Sequence, residues 1–525
     1  MSRTFLLVFL VLFAVTAAVS LIWPYALWLC AIWIPLLLLG LSDMAQGRRA
    51  VLRNFPVIGH FRYLFEMIRP EINQYFIESN TDGRPFSRLE RSLVYQRAKN
   101  ELDTLPFGTQ KDVYEPGYEW IAHSILARHG SHEPPRVVIG EGTCAKPYSC
   151  SLLNVSAMSY GSLSKNAILA LSKGAKRGGF AHNTGEGGVS PYHLEGGGDL
   201  IWQVGTGYFG CRRDEGGFDR ERFAKTAAQE NVRMIEIKLS QGAKPGHGGI
   251  LPAGKVTEEI SQIRGVPMGK DVLSPPGHSA FSTPIGLLEF VEELREASGG
   301  KPVGFKLCIG ERSEFLGICK AMVETGKHPD FITIDGGEGG TGAAPPEFTN
   351  SLGSPLEDGL SFAHDALIGF GLRDKLRILC SGKIITGFHM ATRLALGADV
   401  CMSARGMMMS LGCIQALRCN ANDCPVGVAT QKPGLVNGLV VSNKELRVAN
   451  YHRETVVGLL EIIGAAGLSC PTELGRRHVK RRISRTQVLT YLEIFGQVEE
   501  GSLLAEPVPE SLARPWAAAK AASFN

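Results

Sequence analysis

The sequence predicts an α/β chain: a (β/α)8 TIM-type barrel with an N-terminal transmembrane hairpin and a helical lead-in segment. Three observations predict it. No charged residue occurs from Thr4 to Leu41. After residue 151, short β-type runs alternate with helical patterns. Polar, glycine-rich clusters follow those runs directly.

The charge-free stretch sets the first element. As one helix it would be roughly 55 Å long at 1.5 Å per residue, against a hydrocarbon core of about 30 Å. It therefore reads as two spans, residues 5–19 and 26–41. The break falls near residues 20–24, because Pro24 disfavours helix at Trp23. Trp23, Tyr25 and Trp28 suit a membrane interface. Arg3 precedes the first span, and Arg48, Arg49 and Arg53 follow the second. The positive-inside rule then expects both ends, and the catalytic domain, on the cytoplasmic side of the inner (cytoplasmic) membrane. A single span and a cleaved signal peptide are the alternatives, but a signal peptide's apolar region runs only about 7–15 residues.

The expected division is residues 1–44 for the anchor, 45–150 for the lead-in or cap, 151–435 for the barrel, and 436–525 for a helical extension whose tail from Gly501 is peripheral. The β-type runs are residues 152–156, 179–182, 200–204, 234–239, 303–307, 331–334, 377–380 and 399–403. Helical patterns at 164–177, 284–297 and 388–396 separate several of them. Alternation of this kind implies a parallel sheet. Eight repeats within about 250 residues suit a closed barrel, with a doubly wound open sheet as the competitor.

Composition removes other classes. Apolar residues make up 44% and charged residues 20%, which supports a real core. A net charge of +4 over 525 residues gives no basic face for nucleic acid. The 62 glycines cluster beside apolar runs without a period, so collagen and linker readings fail. The 12 cysteines belong to a chain far too long for a small disulfide scaffold. Cys308, Cys380 and Cys401 lie in apolar runs and read as small buried hydrophobes, and Cys144 and Cys150 read as structural.

In a barrel the chemistry sits at the C-terminal strand ends, and here the unusual residues fall there. Met158 and Ser159 follow the first run, Glu186 the second, and Gln241 and Lys244 the fourth. Gly339 and Gly340 follow the sixth, Ser381, Gly382 and Lys383 the seventh, and Ala404 and Arg405 the eighth. Loops after strands seven and eight often hold a phosphate. Backbone N–H groups approach it closely where glycine lacks a Cβ. Tight turns alone would also use such glycines. Lys306 lies inside an apolar run, and a buried lysine needs an anion or acceptor. At a barrel mouth it could stabilise negative charge; the alternative is an outward, snorkelling side chain.

Cys413, Cys419 and Cys424 form Cys-x5-Cys-x4-Cys, followed by Pro425. Thiolates suit iron–sulfur clusters or zinc. Zinc would lack a fourth ligand, and no histidine lies between residues 390 and 450. Buried free thiols remain the alternative.

These segments resemble the FMN-binding synthase domain of glutamate synthase, and most closely its stand-alone members. The matching pieces are Ala157-Met158-Ser159-Tyr160-Gly161-Ser162, Asn183 to Gly188, Gln241 to Gly246, Ser274-Pro275-Pro276, Gly336 to Gly342, and Gly412 through Gln431. They occur in the family's order and cover roughly residues 150–435. The resemblance implies FMN, and a 3Fe–4S cluster on Cys413, Cys419 and Cys424. It implies reductive amination of 2-oxoglutarate with ammonia, through 2-iminoglutarate, to L-glutamate. It sets Met158, Ser159 and Lys306 against the flavin ring. Gly339, Gly340, Ser381, Gly382, Lys383, Ala404 and Arg405 fall at the cofactor. Gln241 and Lys244 face the 2-oxoglutarate site, with Glu186 a polar group at the same mouth.

There are departures. The sequence shows no glutamine-hydrolysing domain, so ammonia is expected free or from a partner. It shows no pyridine-nucleotide domain, so electrons are expected from a ferredoxin-like donor, a reductase subunit or the membrane. His247 stands where the family usually has Glu, and Ile250 where it usually has Gln. Two alternatives follow: FMN-dependent reduction or amination of a different keto acid or amine, as in N-methylglutamate synthesis, or a membrane electron-transfer protein without this catalysis.

Overall fold

The computed structural model describes residues 2–130 and 133–524. It comprises two compact units, Met1–Arg88 and Leu89–Asn525.

In the first unit, apolar helices Ser2–Ser20 and Cys30–Ala45 are joined through a tight helical turn, Pro24–Leu29. Trp23 is extended (φ −132°, ψ 92°), as the residue before proline must be. Segments Arg3–Ser20 and Pro24–Ala45 are long and apolar enough to cross a membrane, by length and composition only. Gly40 leaves room for the Phe5 ring, so the two helices lie side by side. At the end of the second helix, buried Asp43 accepts the Val57 N–H at 2.9 Å and pairs with His60 Nε2 at 2.9 Å. This ties the helix to the following helices Ala50–Asn54 and Gly59–Ile72.

In the second unit eight parallel strands close into a barrel. They are β1 (Leu153–Val155), β2 (Ala181–Asn183), β3 (Asp199–Val204), β4 (Val232–Lys238), β5 (Val303–Leu307), β6 (Phe331–Asp335), β7 (Arg377–Ser381) and β8 (Val400–Ser403). Closure is made by Cys401 opposite Leu153, which removes the open-sheet alternative. Each run expected from the sequence is a barrel strand. The starts of β2 and β4 each shift by two residues; β2 is expected from residue 179. Gly179 adopts φ 67° and caps helix Lys165–Gly178 instead, so the strand starts two residues later.

The barrel interior is layered. Ala181, Ile201, Met234, Phe331, Leu379 and Val400 form a buried apolar floor. Gly304 leaves space beside the Phe331 ring. The antiparallel hairpin Arg136–Ile139 and Tyr148–Ser151 seals this end, with Ile139, Tyr148 and Cys150 packed on the floor. Above it the inward side chains turn polar, so the same strands supply a dry base and a charged mouth.

Two segments differ from expectation. The lead-in and the C-terminal extension are not purely helical. Strand Glu119–Ile121 pairs with Val479–Arg482, which pairs with Val488–Thr490. Glu119 accepts hydrogen bonds from Arg481 and from Tyr491 (2.7 Å each), which locks this sheet. The tail after Gly501 is docked, not peripheral. Leu503 is fully buried and donates its N–H to Gly369 O (2.8 Å), while Trp516 Nε1 donates to Leu503 O (2.9 Å). The 25-residue helix Val441–Ala465 packs on Lys165–Gly178, where Gly174 leaves room for Val448, and so completes the outer ring of helices.

Candidate active site

The loops at the strand C-termini converge because glycine lets their backbones touch. A Cβ on Gly185 (φ 62°) would lie 2.9 Å from Ser159 N. A Cβ on Gly242 would enter the Gly336 carbonyl. The loops after β1 and β2, and those after β4 and β6, are thereby held in pairs.

One wall is an ionic cluster. Lys238, the last residue of β4, pairs with Glu186 at 2.6 Å. Lys244 is 1% exposed and Arg264 5% exposed. Burial alone would raise the Glu186 pKa, but Lys238, Lys244 and Arg264 outweigh it and hold the carboxyl below its ordinary value. Burial lowers Lys244 to about 8, opposed by Glu186 and assisted by Lys238. Burial likewise lowers Arg264 to about 10, opposed by Glu186. Arg264 donates to Tyr160 O (3.0 Å) and lies over the Phe209 ring, while its Nε–H has no partner among the described residues. Three buried cations thus face one carboxylate.

Beneath it, Glu236 accepts from Gln203 (2.6 Å), Asn183 (2.7 Å) and Thr333 (2.7 Å), so this interior carboxylate is fully engaged. Lys306, 5% exposed, pairs with Asp335 at 3.1 Å. Burial opposes its charge, but Asp335 and Glu236 prevail and raise its pKa. Asp335 also accepts from Ser381 Oγ (2.5 Å) and Gly242 N (3.0 Å), joining β5, β6, β7 and the loop after β4. Lys306 therefore points inward, and the snorkelling alternative fails.

The opposite wall gathers the glycine-rich loops. Arg405 donates to Glu338 O at 2.6 Å, and a Cβ on Gly340 would lie 2.9 Å from its Cδ and Nε. Gly339 lies against the Gly336 carbonyl. Gly382 (φ 149°) and Lys383 (φ 49°) both have positive φ, and Ala404 immediately precedes the short helix Arg405–Ser410. Met158 and Ser159 are buried, with Ser159 Oγ donating to Ser162 Oγ at 3.0 Å.

The cysteine segment follows. Burial raises the Cys413 thiol to about 11, and the neighbouring Cys419 and Cys424 thiols add to this. The three are therefore electrostatic neighbours. Among the described residues, no three His, Cys, Asp or Glu groups come together in a way that could hold one metal ion. Gln415, Leu417 and Asn422 all have φ near +57°, a concentration of backbone strain typical of functional loops. Tyr95 donates to Cys413 O at 2.7 Å, so a lead-in helix, Arg88–Lys99, anchors this segment.

Of the residues singled out from sequence, Glu186 and Lys244 meet in the ionic cluster, and Lys306 and Ser381 meet at Asp335. Gln241 lies half-buried beside them, its carbonyl accepting from Lys244 N at 3.3 Å. His247 stands edge-on to Phe348 (5.1 Å), and Ile250 pairs with Leu273 in a short hairpin. Sequence reasoning missed Glu236, Lys238 and Arg264. Residues 234, 236 and 238 alternate inward on β4, so period two could have exposed the first two. Arg264 ends helix Glu258–Arg264 and looks like an ordinary C-terminal cation.

A closed parallel barrel with buried, opposed charges at its C-terminal mouth has the anatomy of a barrel enzyme. Residues 125–469 match the conserved region in glutamate synthase, and the chain belongs to that family. The glutamate synthase large subunit-like protein YerD of Bacillus subtilis (strain 168) is 41% identical, over 84% of this chain and 91% of that protein. The archaeal glutamate synthase (NADPH) of Methanocaldococcus jannaschii is 36% identical, over 65% of this chain and 63% of that protein. Among solved structures, a double mutant of flavocytochrome b2 with pyruvate bound gives a TM-score of 0.42 at 13% identity, covering 85% of this chain and 90% of that one. Mandelate oxidase with benzoyl-formic acid gives 0.42 at 15%, covering 82% and 97%. These two likenesses carry no argument about chemistry.

Proposed function

We propose that this protein aminates 2-oxoglutarate reductively, through 2-iminoglutarate formed with ammonia, to give L-glutamate. The observation that carries the reading is the ionic cluster. In the upper layer of the mouth, Lys238, Lys244 and Arg264 exceed Glu186 by two positive charges, while the Glu236 carboxylate lies in the layer beneath. A dicarboxylate supplies two negative charges. Burying unpaired charge is costly, so the pocket favours a dianion over a monoanion.

FMN fits the other wall. Arg405 with Gly340 and the positive-φ pair Gly382–Lys383 make a cradle for a phosphate, together with Gly339, Ser381 and Ala404. Lys306, Met158 and Ser159 would border the ring. When bound, FMN supplies hydride transfer to an electron-poor carbon. The three neighbouring thiols of Cys413, Cys419 and Cys424 would hold a 3Fe–4S cluster, which would supply one-electron transfer.

The chain's own residues do the rest. Arg264 and Lys244 bind the two carboxylates and fix the reacting carbon. Glu186 stays ionised and holds Lys238 Nζ in place at 2.6 Å, where its N–H can donate a hydrogen bond to the substrate nitrogen. Gly185 and Gly242 hold the loops together and exclude water. A cluster on the cysteine trio would take single electrons from a ferredoxin-like donor or a reductase subunit, and ammonia would come free or from an ammonia-supplying partner.

The apolar helices in residues 1–45 support an inner-membrane anchor with the barrel on the cytoplasmic side. Helix Gly59–Ile72, with Phe61, Leu64 and Phe65 exposed, suits the interface beside them. A second reading, reduction or amination of a different keto acid or amine, is favoured by the His247–Phe348 contact, which replaces a carboxylate at the rim with an aromatic edge.

The test is anaerobic. Protein containing FMN is reduced with dithionite, then given 2-oxoglutarate with and without ammonium. Flavin reoxidation and glutamate formation only with both is the expected result. No reoxidation with the flavin loaded overturns the substrate assignment.

A further inference from the structure

Lys255 is a buried cation that the reading above does not use. It is 3% exposed and lies in a short helical turn, Ala253–Lys255, between the loop after β4 and the cysteine segment. Its Nζ donates to Ser162 O at 3.0 Å, and among the described residues no carboxylate pairs with it. Burial lowers its pKa, and the Cys419 and Cys424 thiols are the groups that push it back up. An ammonium taken out of water calls for an anion, and the groups facing it here are thiols.

The surrounding bonds bind three segments into one unit. Asn422, between two of the cysteines, donates to Gly254 O at 2.7 Å, next to Lys255. Gln431 Nε2 donates to Gly161 O (3.0 Å) and Leu163 O (2.9 Å), on either side of Ser162. Ser164 Oγ donates to Gly427 O at 2.7 Å. Ser162 Oγ in turn accepts from Ser159, the residue assigned to the flavin ring.

We propose that Lys255 is the fixed positive charge that sets the reduction potential of the cluster held by Cys413, Cys419 and Cys424. The inference rests on the reading of that trio as cluster ligands. Each electron taken from the external one-electron donor adds one negative charge to the cluster, with no bond made or broken. A buried ammonium next to Gly254, whose carbonyl is bonded to Asn422 between Cys419 and Cys424, would favour that added charge and raise the potential. Its bond to Ser162 O fixes the charge against the loop after β1.

The test is a redox titration followed by electron paramagnetic resonance on the full-length protein, with iron content measured in parallel. Lys255→Met and Lys255→Gln should keep their iron and shift the reduction equilibrium at least tenfold toward the oxidised form, about 59 mV for one electron. Lys255→Arg, which keeps the charge, should stay near wild type. Neutral variants with full iron and an equilibrium within threefold of wild type overturn the inference. So does loss of iron from both neutral variants with FMN retained, which would make Lys255 a structural prop. A wild-type protein that binds FMN but no iron overturns the cluster reading itself, and this inference with it.

Discussion

Lys244 makes the sharpest prediction at the level of single residues. Burial lowers its pKa to about 8, while the nearby Glu186 carboxylate works the other way. Only the protonated form attracts a carboxylate. Affinity for 2-oxoglutarate should therefore be full below pH 8 and fall as pH rises through it. KM measured from pH 6.5 to 9.5 should climb through that window, and Lys244→Met should abolish the step and weaken binding by about 2–5 kcal/mol. Flavin content should not change. Arg264→Lys is expected to raise KM about tenfold with little change in kcat, because a single ammonium cannot reproduce a planar fork. An unchanged KM would remove Arg264 from the substrate site. Lys306 was legible because it breaks an apolar run. Lys238 was hidden at a strand end, where a lysine looks ordinary. Arg264 carried no signal, since only the fold brings its helix under Tyr160.

At the level of elements, periodicity found the barrel strands because each is buried on both faces and reads as a short apolar run. It gave no warning of the Glu119–Ile121 sheet, whose partner strand Val479–Arg482 lies hundreds of residues away and is mostly basic. The tail failed for a related reason. Its Ala- and Pro-rich composition suggests a loose end, yet Leu503 fills a site opened by Gly369. Leu503→Ala should cost about 2–5 kcal/mol, seen as a lower thermal midpoint, while KM for 2-oxoglutarate stays unchanged. Gly242→Ala acts on two loops together. Its new methyl would enter the Gly336 carbonyl and separate the Lys244 loop from Asp335. Substrate binding should fall at least tenfold, with the melting temperature affected less than in Leu503→Ala. The opposite ranking would mean that loop contact serves folding more than the site.

At the level of the whole molecule, the barrel chemistry and the apolar N-terminus make separate demands. Residues 6–11 include exposed Leu6, Leu7, Val8, Leu10 and Val11, and residues 21–29 expose Leu21, Ile22, Trp23 and Trp28. So large an apolar surface is unfavourable in water, and the proposed membrane anchor would cover it. Phe5 against Gly40 pairs the helices, which puts Arg3 and the Arg48, Arg49 and Arg53 group at the same end of the hairpin. Two predictions follow from one geometry. The full-length protein should stay in the membrane pellet at alkaline pH in carbonate, conditions that strip proteins held by charge alone. Protease added outside sealed cells should leave the barrel intact, because only the turn around Pro24–Leu29 would reach the far side. Release by carbonate would reduce the hairpin to a peripheral contact. Retention with cleavage from outside would keep the anchor and reverse its orientation. That would put the barrel beyond the reach of cytoplasmic 2-oxoglutarate and a ferredoxin-like donor, and would make the second substrate reading the stronger one.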